Sequence, residues 1–184
     1  IEERNTELIR VIKESYKRGG KLMIPSFAVE RAQEMLYLIG EFMQQGLIPK
    51  MKVYLDSPMA IKATKVFAEY TDYYNDKVKK SSRAKSLFSF PELVYTETVD
   101  QSKAINSITG PCIIIAGNGM CSAGSIKHHI RNSIDNSKNT LLFIGYQVKG
   151  TLGYWIKKGE KRIRLFGTQV EVKAKIESID GFSA

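Results

Sequence analysis

Hydrophobic positions along this chain change period again and again, from the spacing of a helix to the unbroken run of a buried strand and back. Over residues 5–18, NTELIRVIKESYKR, Leu8, Ile9, Ile12 and Tyr16 recur at helical spacing, and the run stops at Gly19 and Gly20. KLMIP follows as a short buried strand, and Ser26 stands where a cap belongs for the amphipathic run from Phe27 to Gln45, which ends at Gly46. MKVYL reads as a second strand, after which Ser57 suits an N-cap and Pro58 the first position of a helix through Tyr70. Residues 71–92 mix tyrosines, lysines and serines without a clean period and read as an extended excursion or short helices.

The alternation resumes with ELVYTE as a strand, Asp100 as the cap of a helix to Ile108, a turn at Gly110 and Pro111, the strand CIIIA, a glycine loop and another helix. TLLFIGY as a strand, a helix from Thr151, and strands around RIRLF and VEVKAKIESI complete the chain. Strands that alternate with helices pair in parallel through right-handed crossovers. The predicted class is therefore α/β, a three-layer, Rossmann-like domain with a mainly parallel sheet.

Composition narrows this picture. A length of 184 residues with 43% hydrophobic content supports a single folded domain over residues 1–184. No apolar run approaches the roughly 20 residues of a membrane span, so a soluble protein without a membrane partner is expected. The chain opens at Ile1 with no charged and then apolar leader, which suggests a processed or excised piece. Cys112 and Cys121 provide neither a disulfide framework nor a CxxC zinc spacing, consistent with a reducing, cytoplasmic setting. A net charge of +9 and a pI near 9.5 favour an anionic partner, nucleic acid ahead of an acidic membrane surface.

In open α/β sheets ligands gather where strands end and helices begin. Pro25-Ser26-Phe27, Asp56-Ser57-Pro58, residues 117–125 and residues 146–151 occupy such positions and should line one edge. The glycine loop reads GNGxxxxG, neither the dinucleotide spacing nor a Walker A, so a phosphate-facing loop and a tight strand-to-helix turn both remain open. His128 and His129 invite a metal reading, but adjacent helical positions diverge by about 100° and no Asp, Glu or Cys completes a ligand set at i+4; a packed or surface pair is the better account. Asp56 reads either as an acid, base or supporting group or as a carboxylate stabilised by the helix that follows. Arg31 and Glu34 either reach the shared edge or pair with their neighbours. Between positions 149 and 175, Lys149, Lys157, Lys158, Lys161, Arg162, Arg164, Lys173 and Lys175 face only Glu160 and Glu171. Lys77, Lys79, Lys80, Arg83 and Lys85 form a second cluster beside Tyr70, Tyr73 and Tyr74. Basic residues interleaved with aromatics suit a phosphate backbone with stacked bases, although a solvated lysine-rich face has the same composition.

Taken together, IPSFAVERAQEMLYLI, VYLDSPMA, GNGMCSAGSIKHHI, GYQVKGTLG and IESIDGFSA resemble the consecutive signature stretches of the β-CASP domain of metallo-β-lactamase-fold RNA nucleases, the class related to the cleavage and polyadenylation nuclease, and most closely its bacterial and archaeal members. The blocks are colinear and cover essentially the whole chain. The resemblance implies a domain inserted into a metallo-β-lactamase domain, capping a site of two zinc ions above a cleft for single-stranded RNA. It assigns the ligands and the catalytic residues to that other domain, because this sequence has no HxHxDH; the chain alone is expected to bind no zinc and to be inactive. It implies Ser26, Asp56, Ser57, Asn118, Ser122, Lys149 and Thr151 as substrate-positioning residues in RNA processing or degradation, and treats the histidine pair as other than a zinc pair. Ser125 and Tyr154 stand where relatives often carry arginine. Whether the protein forms a homodimer is left open. Two rival readings are a free-standing Rossmann-like module for a nucleotide or phosphate, which lacks a spaced GxGxxG here, and a protein-interaction domain.

Overall fold

The computed structural model describes residues 2–70 and 87–182. The element order is α1 (Glu2–Arg18), β1 (Lys21–Pro25), α2 (Arg31–Gln44), β2 (Val53–Asp56), α3 (Pro58–Glu69), β3 (Leu93–Tyr95), α4 (Val99–Ala104) with a 3₁₀ turn at Ile105–Ser107, and β4 (Cys112–Ala116). Then come α5 (Gly124–Ser133), β5 (Thr140–Phe143), α6 (Leu152–Lys157), β6 (Arg162–Leu165), β7 (Thr168–Glu171) and β8 (Lys175–Ser178). Six strands form one sheet in the order β3-β2-β4-β1-β5-β8, and every pairing in it is parallel. This is the expected three-layer α/β fold.

Strand pleat sorts the core to the two faces. Leu22, Ile24, Val53, Leu55, Ile113, Ile115 and Leu142 pack against α1, α2 and α3 through Leu8, Ile12, Met35, Leu36, Ile39 and Ile61. The opposite rows, Met23, Cys112, Ile114, Leu141 and Phe143, meet Ile126 and Ile130 of α5, Ile134 just after it and Ile156 of α6. A sheet covered on both faces explains why KLMIP, CIIIA and TLLF are buried at every position.

Four local expectations change. Helix α2 begins at Arg31 instead of Phe27, because the Ser26 N–H donates to the Ala116 carbonyl at 3.0 Å and so extends the β1 to β4 pairing; its hydroxyl donates to the Phe27 carbonyl and caps nothing. The cap of α4 is Thr98, in a capping box with Gln101, and Asp100 sits in the first turn. That helix gives way to a 3₁₀ turn before Ile108, where the buried Lys21 ammonium donates to the Ile105 and Asn106 carbonyls at 2.9 and 3.0 Å. The run VEVKAKIESI is two strands in two sheets: β7 pairs with β6 in an antiparallel hairpin, and the chain then turns at Lys173 and Ala174, whose N–H groups both donate to the Ile134 carbonyl, before β8 joins β5. Ser57 and Pro58 cap and open α3 as expected. The expectation for residues 71–92 lies outside the described residues up to position 86; beyond it Leu87 and Phe88 are buried against the first core.

A charged cluster fastens α1 to β8. Arg10 donates to Glu7, Glu14 and Glu177, and Lys175 reaches Glu14 at 2.8 Å and Glu177 at 2.7 Å. The hydrogen bond from Lys175, with that from Arg10, holds the Glu14 carboxyl down at about 2, against its ordinary value of 4.5. Burial opposes ionisation of Glu177, but hydrogen bonds from Lys175 and Arg10 outweigh it and keep that carboxyl low as well. A depressed folded-state value means that the unfolded chain takes up protons first, so the stabilisation is complete above about 4.5 and is lost as pH falls toward about 2. Thermal melts between pH 7 and pH 2 should fall along this limb, and the double variant Glu14→Gln, Glu177→Gln should flatten it.

Candidate nucleic-acid-binding edge

Parallel pairing delivers the carboxyl end of each strand of the main sheet to one edge, so the loops after β1, β2, β4 and β5 converge there. Every residue named from the sequence as a substrate candidate falls on these loops or, for Asp56, on the last position of β2, but their states differ. Ser26, Asp56 and Ser57 are buried and committed to the protein's own hydrogen bonds; Ser57 accepts from the Ala60 N–H at 3.3 Å as the cap of α3. Thr151 is half-buried, donating to the Val148 carbonyl at 2.7 Å and accepting from the Tyr154 N–H at 3.2 Å. Asn118, Ser122 and Lys149 are exposed. Asn118 accepts the Met120 N–H through its side-chain oxygen, Ser122 donates to the Met120 carbonyl, and the Lys149 ammonium has no ion-pair partner among the described residues.

The glycine loop is packed against itself and its neighbours. A Cβ on Gly124, which has φ +70°, would lie 2.3 Å from the Gly117 carbonyl oxygen, whose acceptor is used by the Ile126 N–H at 2.9 Å. One on Gly119 would press on the Phe27 ring at 3.0 Å. The Gly119 carbonyl takes the buried amide of Gln147, and the Met120 carbonyl takes the Gly153 N–H, so this loop is tied to the segment after β5. Gly124 is thus required by close backbone approach, and Gly119 by the Phe27 ring packed on it. At the start of α5, Ala123 occupies the cap position and supplies no side-chain acceptor; the Gly117 carbonyl takes the Ile126 N–H in its place.

Asp56 is 3% exposed, and its carboxylate accepts from Ser102 Oγ at 2.6 Å and from His129 Nε2 at 2.6 Å. Its backbone carbonyl accepts from Ser125 Oγ. The partners are side chains of α4 and α5, not the N–H groups of the following helix. Ser125 and His129 are four apart on α5, the spacing that puts two side chains on one face, and this was the available signal for the contact. The histidine pair divides: His129 is buried in this network, whereas His128 is exposed and stacks on Phe166 with centroids 4.7 Å apart. Cys112 and Cys121 are buried thiols; burial pushes Cys112 up to about 11 despite the nearby Lys21, and Cys121 higher still. Among the described residues no group of three or more His, Cys, Asp or Glu side chains is placed to hold a metal ion. Arg31 and Glu34 pair with each other at 3.0 Å, and Glu34 also takes Arg4 at 2.8 Å. The lysine cluster at 77–85 lies outside the described residues.

Exposed apolar side chains collect on the same edge. Phe27, Val29, Met59, Val99, Tyr146 and Val148 all follow strand ends, and Tyr146 is 73% exposed. No helix among the described residues is long and apolar enough to cross a membrane. Removing His129 leaves Asp56 with Ser102 alone, and removing Asp56 leaves His129 Nε2 without its partner, each in a buried site, at a cost of about 1–3 kcal/mol. Asp56→Ala and His129→Ala should each lower the denaturation midpoint by that order, and the double variant should fall well short of the sum. Truncating His128 should cost under about 1 kcal/mol in the same chemical-denaturation series.

Comparison with known proteins agrees with this architecture. The model of the Beta-Casp domain family matches residues 32–156. Ribonuclease TTHA0252 of Thermus thermophilus is 34% identical over 178 residues, which are 96% of this chain and 41% of that protein. The transcription termination factor FttA of Methanosarcina mazei is 33% identical over 191 residues, 100% of this chain and 30% of that protein, and an RNase J-like protein of Methanocaldococcus jannaschii is 33% identical over 178 residues, 97% of this chain and 40% of that protein. The chain therefore spans less than half the length of these relatives. With the family model covering most of the sequence and placing β2, the glycine loop and α5 in one unit, the chain belongs to the Beta-Casp domain family.

Proposed function

We propose that this chain is the RNA-binding lid of a zinc-dependent, metallo-β-lactamase-fold ribonuclease, acting in RNA processing or degradation. The observation that carries the reading is the strand-end edge itself. It combines exposed apolar side chains with an unpaired lysine and a helix start that has no side-chain cap, on a chain of net charge +9. Such an edge suits a single strand that offers bases to apolar side chains and phosphates to N–H groups and ammonium. Relatives named as a ribonuclease and as an RNase J-like protein support the same chemistry.

Within the edge the roles separate by exposure. Lys149, Asn118 and Ser122 meet the substrate, with Lys149 supplying charge to a phosphate. Ser26, Asp56, Ser57 and Thr151 act behind them by fixing the loops through the hydrogen bonds described above. We assign the two zinc ions and their ligands to a metallo-β-lactamase domain of the same polypeptide, with this chain contributing position rather than bond cleavage. We assign the full protein to the cytoplasm.

The test is binding of a labelled single-stranded RNA, followed by anisotropy. Affinity should drop steeply between about 50 and 200 mM salt, because each lysine or arginine on a phosphate releases counterions. Lys149→Ala should weaken binding and reduce the salt slope by about 1 without changing the melting temperature. Affinity that ignores salt, or no binding at low salt, overturns the proposal.

A further inference from the structure

Beyond the loop after β5 the surface opens into a cavity of about 450 Å³ bounded by Gly150, Trp155, Glu160, Arg162 and Arg164. This is the size range of a site for a nucleotide or another small ligand. Its walls follow from two simple patterns. Strand β6 alternates, with Ile163 and Leu165 turned into the second core and Arg162 and Arg164 outward. Helix α6 buries Ile156 and leaves its neighbour Trp155 45% exposed. The indole is braced edge-on by Tyr154, with centroids 5.1 Å apart, and Lys158 sits over that tyrosine at 5.7 Å.

Neither arginine has an ion-pair partner among the described residues. Glu171, opposite Arg162 in the hairpin register, is held instead by Lys173 at 3.2 Å, and Arg164 makes only a long hydrogen bond, 3.4 Å, to the Gly167 carbonyl. The cavity thus presents a braced aromatic face, two unpaired guanidinium groups and one carboxylate, and through Gly150 it is continuous with the strand-end edge. An aromatic ring accepts the face of any base, and guanidinium groups match phosphate oxygens.

We infer that Trp155, Arg162 and Arg164 form an auxiliary nucleotide subsite, in which one base of a single-stranded RNA stacks on the indole while the arginines hold its flanking phosphates. It extends the edge by one position and rests on the RNA-binding reading above. Glu160 also lines the cavity, and a carboxylate there would accept from a base amine and so favour bases that carry one.

Trp155 is the sole tryptophan in the sequence, so its emission reports on this subsite without a label. Unlabelled single-stranded RNA titrated into the 184-residue chain should quench that emission, with the same midpoint as the anisotropy of a labelled strand. Trp155→Ala should weaken binding about 5- to 150-fold, the range of one lost base stack. Trp155→Phe, which keeps a ring and protects the fold, should retain most of the affinity. Arg162→Ala and Arg164→Ala should each reduce the salt slope by about 1. If anisotropy reports binding while emission stays constant and Trp155→Phe,Ala variants bind like the parent, the subsite is wrong and the RNA reading stands; that is also the result expected if the cavity seats a protein segment. If anisotropy reports no binding at all, the RNA reading fails and takes the subsite with it.

Discussion

One carboxylate without access to water organises the edge where strands give way to helices. An unpartnered ionised group at the depth of Asp56 would cost several kcal/mol, and the fold meets that cost with a serine from α4 and a histidine from α5. Because both partners belong to helices that follow other strands, the carboxylate sets the positions of α4 and α5 relative to β2. Ser125, bonded to the Asp56 carbonyl, repeats the constraint one helical turn nearer the glycine loop. The loop between β4 and α5 is consequently held at both ends, with Gly119 and Cys121 packed inward and Asn118 and Ser122 left exposed.

The two edges of the sheet are treated differently. At the amino ends of the strands, Lys21 closes on the carbonyls of Ile105 and Asn106, and Asn139 bonds both the Lys21 N–H and the Ser133 carbonyl. Polar groups there satisfy one another. At the carboxyl ends, large apolar side chains and a lysine are left facing outward, an arrangement that loses free energy in an isolated domain and makes sense where something binds.

Much of the fold was legible because its signals are local. CIIIA and KLMIP are too apolar and too short for anything but buried strands, and Ser57-Pro58 writes a helix start into two residues. The errors arose where a distant partner decides. Ser26 looks like a cap until β4 takes its N–H, and VEVKAKIESI looks continuous until α5 turns it at Lys173. The candidate site was legible as a set of loops, since strand ends can be counted, but not as a division of labour: that Asp56 is a buried anchor and Asn118 a surface group depends on helices more than forty residues away in one case and on a local turn in the other. Trp155 escaped notice because a lone aromatic on a short helix carries no pattern of its own.

The strand order also dictates a sequence of events in time. β1 and β2, the first two strands of this sheet in chain order, share no edge; the strand that lies between them is β4, which pairs Lys21 with Cys112 and Val53 with Ile113 across separations on the order of 90 and 60 residues. As the chain emerges from synthesis, its early helices have apolar strands to cover but those strands have nothing to bond to, apart from the short β2 to β3 pair. Assembly must therefore proceed by insertion into the middle of the sheet. Until Cys112–Ala116 arrives, β1 and β2 present open edges to other chains nearby, an interval in which this sheet is exposed to aggregation.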